Sequence, residues 1–171
     1  MIRKCFRAGV VVTLASLCLP LVASAQKLVF VVRHAERADG GASQMQTQAD
    51  PLLSAAGNAR AARLAGMLAD AGIQAIYVTE FRRTQATARP LATKLGLEAR
   101  QYSSKNSDEF IRKLRSEHAK DIVLVVGHSN TVPAIIKALG GPEVTIADSE
   151  YDNLFVIVPE TGAMTRIRFA P

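Results

Sequence analysis

Three apolar runs punctuate the chain, at residues 27–33 (KLVFVVR), 75–79 (AIYVT) and 122–126 (IVLVV). Each is continuous rather than alternating, the pattern of a strand buried on both faces. Between them the period becomes helical. Ser54 opens one such segment, with Leu64, Met67, Leu68 and Ala71 on its apolar side, Arg60 and Arg63 left for solvent, and Gly72 as its stop. Residues 82–95 predict a second helix ended by Gly96, with Pro90 kinking or dividing it. A weak strand at 97–102 leads to a helix at 107–118, whose Phe110, Ile111 and Leu114 share a face. Residues 131–139 predict a further helix, and the polar, Gly-containing stretch 38–50 is the longest predicted loop. The end changes character: 154–158 and 164–169 flank Glu160-Thr161-Gly162, which reads as a hairpin. Strands alternating with helices predict an α/β fold, a three-layer α/β/α sandwich. Its mainly parallel central sheet gains an antiparallel hairpin late.

The first 25 residues stand apart from that pattern. Arg3, Lys4 and Arg7 precede an uncharged apolar run over 8–22, and Ala23-Ser24-Ala25 supplies a small-x-small cleavage site. Residues 1–25 therefore read as a signal peptide, with 26–171 as a single mature domain and Gln26 as its new N-terminus. The run is too short, and is broken by Pro20, for a confident membrane span. A retained anchor is the alternative. Export to the periplasm or medium is the expectation, with no stable membrane insertion after cleavage.

Removal of that segment changes the charge argument. The full 171-residue chain carries a formal charge of +6, and losing Arg3, Lys4 and Arg7 lowers it to +3. That is no electrostatic footprint for nucleic acid. Both cysteines, Cys5 and Cys18, leave too. A Cys-free mature domain excludes a Cys nucleophile and any thiolate metal site. A composition of 49% hydrophobic and 21% charged residues is globular rather than disordered.

Ligands of open α/β sheets bind beyond the carboxyl ends of the strands. The first strand runs into Arg33-His34-Ala35-Glu36, the second into Thr79-Glu80-Phe81-Arg82-Arg83-Thr84, and the third strong strand into Gly127-His128-Ser129-Asn130. If the three run parallel, two histidines and a pair of arginines converge on one rim. Arginine forks and histidines around a helix N-terminus form a receptor for an anion, above all a phosphoryl group. Phosphoryl transfer needs positioning, charge neutralisation and an in-line nucleophile. A neutral imidazole can be that nucleophile.

These residues resemble the histidine phosphatase superfamily, the branch of cofactor-dependent phosphoglycerate mutases and many small phosphatases. Its Arg-His-Gly motif is similar to Arg33-His34-Ala35, and its Ser-x-x-x-Arg-x-x-x-Thr-Ala signature to Thr79–Ala88. Its Gly-His after an apolar strand matches Gly127-His128, and its Leu-Thr-x-x-Gly helix opening is similar to Leu53-Ser54-Ala55-Ala56-Gly57. The resemblance implies that His34 is the phosphorylated nucleophile and that Arg33, Arg83 and His128 hold phosphoryl oxygens. Ser129 and Asn130 join them as substrate-binding residues. Arg83 rather than Arg82 aligns with the motif arginine. The family's proton donor has no obvious equivalent; Glu80 is the first choice, with Glu36 and Glu109 as competitors. Two departures stand out. Ala35 replaces the motif glycine, so a tight position must admit a methyl or keep φ negative. The stretch after Glu36 lacks the Ser-x-x-Asn that mutases place near phosphate, which moves the chain away from them.

The expectation is therefore an exported, metal-independent and cofactor-free phosphatase acting on a phosphomonoester or phosphohistidine. Its partner would be a small-molecule or surface-attached phosphate substrate. A binding module that keeps the anion pocket without turnover is the alternative, and a mutase a more distant one. His118, near a helix C-terminus, needs no function. Arg112, Lys113 and Arg115 read as a solvated helix face, and Tyr151-Asp152-Asn153 as loop or turn, with closure of the pocket as the alternative. Three histidines without cysteine, and without close His/carboxylate spacing, argue against a metal site.

Overall fold

The structure is a computed structural model that describes residues 28–39, 50–159 and 161–170. The predicted signal peptide 1–25, most of the 38–50 loop and Glu160 of the hairpin lie outside the described residues. Six strands alternate with four helices: β1 Leu28–Arg33, α1 Ala55–Leu68, β2 Ala75–Thr79, α2 Arg82–Leu95, β3 Ala99–Tyr102, α3 Ser107–Glu117, β4 Ile122–Gly127, α4 Thr131–Ala138, β5 Asn153–Val158 and β6 Ala163–Arg168. They form one sheet in the order β3-β2-β4-β1-β5-β6. β3, β2, β4 and β1 are parallel, whereas β5 and β6 join antiparallel at the far side.

Alternate residues of the central strands feed two cores. Val29, Val31, Tyr77, Val123 and Val125 point to the layer of α3 and α4, where they meet Phe110, Leu114, Val132 and Ile135. Phe30, Val32, Ile76, Val78, Leu124 and Val126 point the other way, to Leu64, Leu68, Ala88 and Leu91 of α1 and α2. This is the three-layer sandwich, and it explains the unbroken apolar runs: no face of β1, β2 or β4 meets water. Among the described residues no helix is long and apolar enough to cross a membrane.

Four local expectations need correction. Arg60 is not a solvent residue; it is buried, with its guanidinium on the Glu36 carboxylate and on the carbonyl of Phe169. Met67, placed on the apolar side by its spacing, is exposed instead. Pro90 does not divide α2. The helix runs as one element from Arg82 to Leu95, with Ala88, Leu91 and Ala92 buried around the proline. The third strand begins at Ala99, two residues later than expected, because Gly96 in the left-handed region and the Leu97 amide first close α2.

The N-terminus of α1 is capped by Ser54, whose hydroxyl accepts from the Gly57 amide at 3.0 Å. Ser54 N–H in turn donates to the Glu36 carbonyl at 2.9 Å. Gly57 lies so close to that segment that a Cβ would stand 2.3 Å from the Glu36 carbonyl oxygen. The obstacle is backbone and cannot rotate away. Gly57→Ala is therefore expected to destabilise the fold by about 1–3 kcal/mol. Urea unfolding would check it, and an unchanged midpoint would mean that α1 can shift freely against the 34–36 segment.

Candidate active site

Parallel pairing sets Arg33 of β1 opposite Gly127 of β4, with β2 on the other side of β4. The three strand ends thus reach one rim, and the segments that follow build a cleft of about 410 Å³. Arg33, His34, Arg83, His128, Ser129 and Asn130 all line it. Arg82 faces a separate groove.

His34 is held by its backbone on both sides. Its N–H donates to the Gly127 carbonyl at 2.9 Å, and the next amide, Ala35 N–H, donates to Thr87 Oγ1 at 2.9 Å. Ala35 is fully buried against Leu53 and Ala61, and no described non-glycine residue has a positive φ. The methyl that replaces the motif glycine is thus accommodated in a small satellite core without strain. The ring is fixed as well. Nδ1 lies 2.8 Å from the Ala35 carbonyl, and a carbonyl only accepts, so Nδ1 carries the proton. Nε2 is left with its lone pair. Burial, with His128, Arg83 and Arg33 as nearby cations or partners, pushes the His34 pKa down to about 3. The imidazole is neutral and nucleophilic at any ordinary pH.

His128 is set in the opposite tautomer. Arg83 Nη2 approaches its Nδ1 at 3.3 Å and can only donate, so Nδ1 accepts. Nε2–H then donates to Thr79 Oγ1 at 2.9 Å, which passes the chain to Thr84 Oγ1 at 2.9 Å and on to the Phe81 carbonyl at 2.7 Å. Burial and the Arg83 charge hold the His128 pKa down at about 4. An arriving phosphoryl oxygen would be met by Arg83 as the site stands, and by His128 once Nδ1 takes up a proton. Gly127 is required by the same packing: a Cβ there would lie 2.6 Å from Thr131 Oγ1, the group that caps the His128 amide.

Both arginines are oriented and partly unsatisfied. Arg33 Nη1 donates to the carbonyls of Ala147, Asp148 and Glu150, each at 3.0 Å, and Tyr151 stacks on its guanidinium at 4.0 Å. Arg83 stacks on Phe81 at 4.2 Å and faces Asp50 at 3.5 Å. In each, the buried Nε–H has no acceptor among the described residues. Burial lowers the pKa of both guanidiniums. A buried Arg33 and a half-buried Arg83, each with an idle donor, suit a dianion. Among the described residues no group of His, Cys, Asp or Glu could hold a metal ion.

The three candidate donors are placed very differently. Glu36 is tied to Arg60, which outweighs its burial and holds its carboxyl low. Glu109 accepts from the Asn106 side chain on the exposed first turn of α3. Glu80 acts electrostatically on His128, but none of the three carboxylates is among the residues that line the cleft. Burial would raise the Glu80 pKa, but hydrogen bonds from Ser104 N and Oγ outweigh it and hold the carboxyl below its ordinary range.

The cleft also contains residues that sequence reasoning missed. Arg37, Phe81, Ser104 and Lys105 line it; Tyr151 lines it too, the alternative that its sequence left open beside loop or turn. Tyr151 is indeed in a loop, and its ring lies 6.0 Å from that of His34. Arg37 follows the nucleophile motif by one turn of loop, and nothing in its neighbours distinguishes it from a solvated arginine.

Residues 29–104 match the histidine phosphatase superfamily, branch 1. That stretch of the chain is similar to the family and holds Arg33, His34 and Arg83 of the cleft. No curated protein matches the sequence significantly. Solved structures share the fold at low identity. A proposed phosphohistidine phosphatase, SixA, from Agrobacterium tumefaciens is 20% identical with a TM-score of 0.61, over 84% of this chain and 98% of that one. A mycobacterial glucosyl-3-phosphoglycerate phosphatase is 15% identical with a TM-score of 0.59, over 84% and 97%. A phosphoserine phosphatase variant from Entamoeba histolytica, in complex with phosphoserine, is 12% identical with a TM-score of 0.63, over 84% and 96%.

Proposed function

We propose that the protein is an exported phosphatase that hydrolyses phosphomonoesters or phosphohistidine through a phospho-His34 intermediate, without metal or cofactor. One observation carries this reading: the Nδ1–H of His34 is spent on the Ala35 carbonyl, so Nε2 presents a lone pair to a cleft lined by Arg33, Arg83 and His128.

The Nε2 lone pair attacks phosphorus in line, forming the P–N bond as the bond to the leaving atom breaks. Arg33, Arg83 and protonated His128 neutralise the equatorial oxygens, which is where a loose phosphoryl transition state gathers charge. The leaving oxygen takes a proton, for which Glu80, whose charge acts on His128, is the candidate. Water then attacks phosphorus, breaks the P–N bond, and returns His34 to its starting tautomer. For phosphohistidine the leaving group is an imidazole nitrogen. Export rests on the signal-peptide pattern of 1–25, with a periplasmic or secreted location following from cleavage after Ala25.

The test is phosphate release from p-nitrophenyl phosphate by purified 26–171 in excess EDTA. Release that survives chelation supports the reading. Phosphate binding without release, from acidic to neutral pH, would favour a non-catalytic phosphate-ester module instead.

A further inference from the structure

Arg33 is a cleft cation whose direction is set by backbone far along the chain. Its Nη1 has two protons and three carbonyl acceptors, those of residues 147, 148 and 150, all at 3.0 Å. Those carbonyls converge only because residues 147–150 form a tight turn. The turn is closed twice between the same two residues: Glu150 N–H donates to the Ala147 carbonyl at 2.9 Å, and Ala147 N–H donates to Glu150 Oε2 at 3.0 Å. The other carboxylate oxygen, Oε1, faces outward from the turn. It accepts from Arg166 Nη2 at 3.1 Å and from Arg168 Nη2 at 2.5 Å, both on β6. Arg166 is itself steadied by Asn153 Oδ1 at 2.7 Å, and Arg168 by the Asp152 carboxylate.

We infer that Glu150 is a positioning residue: its carboxylate staples the 147–151 turn to β6, and the turn in turn aims the Arg33 guanidinium at the anion. The inference rests on the phosphatase reading of the cleft. Exposed ion pairs of this kind contribute little to folding, so a purely structural role predicts little consequence from their loss. A positioning role predicts a different outcome. With Nη1 held, Arg33 keeps its Nε edge, which has no acceptor among the described residues, for phosphate oxygens. Tyr151, next in the chain, completes the fixation by stacking on the opposite side of the same group. Freed from the turn, Arg33 can rotate, and misplacement by about 1 Å can cost ~10²-fold in turnover.

The experiment uses 26–171 with inorganic phosphate as the probe, measured by calorimetry beside kcat and KM for p-nitrophenyl phosphate and the melting temperature. Glu150→Ala is expected to weaken phosphate binding and raise KM by roughly 10- to 100-fold while the protein stays folded. Glu150→Gln keeps one acceptor oxygen but loses either the turn closure or the β6 contact, so its effect should be intermediate. Arg168→Ala removes the outer half of the staple from an exposed side chain, and it should show the same direction even if Glu150→Ala does not fold. Unchanged phosphate affinity and KM in folded Glu150→Ala or Arg168→Ala, beside a wild type that binds phosphate, would overturn the inference alone. A wild type that binds no phosphate would overturn the cleft's assignment, and this inference with it.

Discussion

A His34→Ala protein is expected to lose phosphate release by a factor on the order of 10⁴–10⁶, the scale seen when a covalent nucleophile is deleted. Its affinity for inorganic phosphate should change far less. The two effects separate because the nucleophile and the receptor are built from different elements. His34 follows β1, whereas Arg83 opens α2 and His128 follows β4. The anion-holding groups also keep their own supports without it: Arg33 stays on the 147–150 carbonyls, and His128 stays on the Thr79–Thr84 chain. Removing the ring should even ease phosphate entry, because it takes a neutral, desolvated imidazole out of the cleft. Turnover assays beside calorimetry check this. A variant that keeps appreciable turnover, or loses binding and turnover in parallel, would show that His34 is not the reacting atom's partner.

The second large effect concerns the proton on the leaving oxygen. His34 must be neutral to attack, a condition met above about pH 3. Glu80, if it supplies the proton, must be protonated, and its Ser104 hydrogen bonds keep its pKa below the ordinary 4.5. For an alkyl phosphate the rate should therefore rise with pH as His34 deprotonates and fall as Glu80 ionises and His128 loses its proton, giving a narrow optimum in acid. Glu80→Gln is expected to remove the part of the falling limb that Glu80 sets, leaving that of His128, and lower kcat on alkyl phosphates by ~10²–10⁴-fold. p-Nitrophenyl phosphate, whose leaving group departs as a stable phenolate, should lose far less. Ser104→Ala should shift the falling limb to higher pH, since it frees the carboxylate of a donor. Identical pH profiles for wild type and Glu80→Gln on an alkyl phosphate would exclude Glu80 as the acid.

The scaffold was legible because β1, β2 and β4 are buried on both faces, and burial writes itself as uninterrupted Val, Ile and Leu. The shared rim followed directly from it. Once those strands run parallel, Arg33-His34 and Gly127-His128 must share a rim, and both fall within one residue of a strand end. What stayed hidden depends on contacts between distant parts of the chain. Arg60 occupies a position that helical period assigns to solvent, yet its partners are Glu36 and the Phe169 carbonyl at the far end of the domain. Tyr151 and Glu150 sit in a polar stretch without periodicity, and their use comes from how β5 and β6 return the chain beside β1. The tautomers of His34 and His128 are equally invisible to sequence, because each is set by a single neighbouring donor or acceptor. Met67 shows the opposite error: helical spacing alone places it inward, but its side chain is exposed.

The central claim is a covalent bond between phosphorus and His34 Nε2, and rapid alkaline quenching during turnover tests it most directly. A phosphorus–nitrogen bond on histidine survives base and is lost in acid, so peptide mass spectrometry should find one phosphoryl group on His34. That group should disappear on brief acid treatment and be absent from His34→Ala. Sustained turnover with no phosphoryl group on His34 at any quench time would contradict the account, and would point to direct attack by water in a cleft that only binds the phosphate.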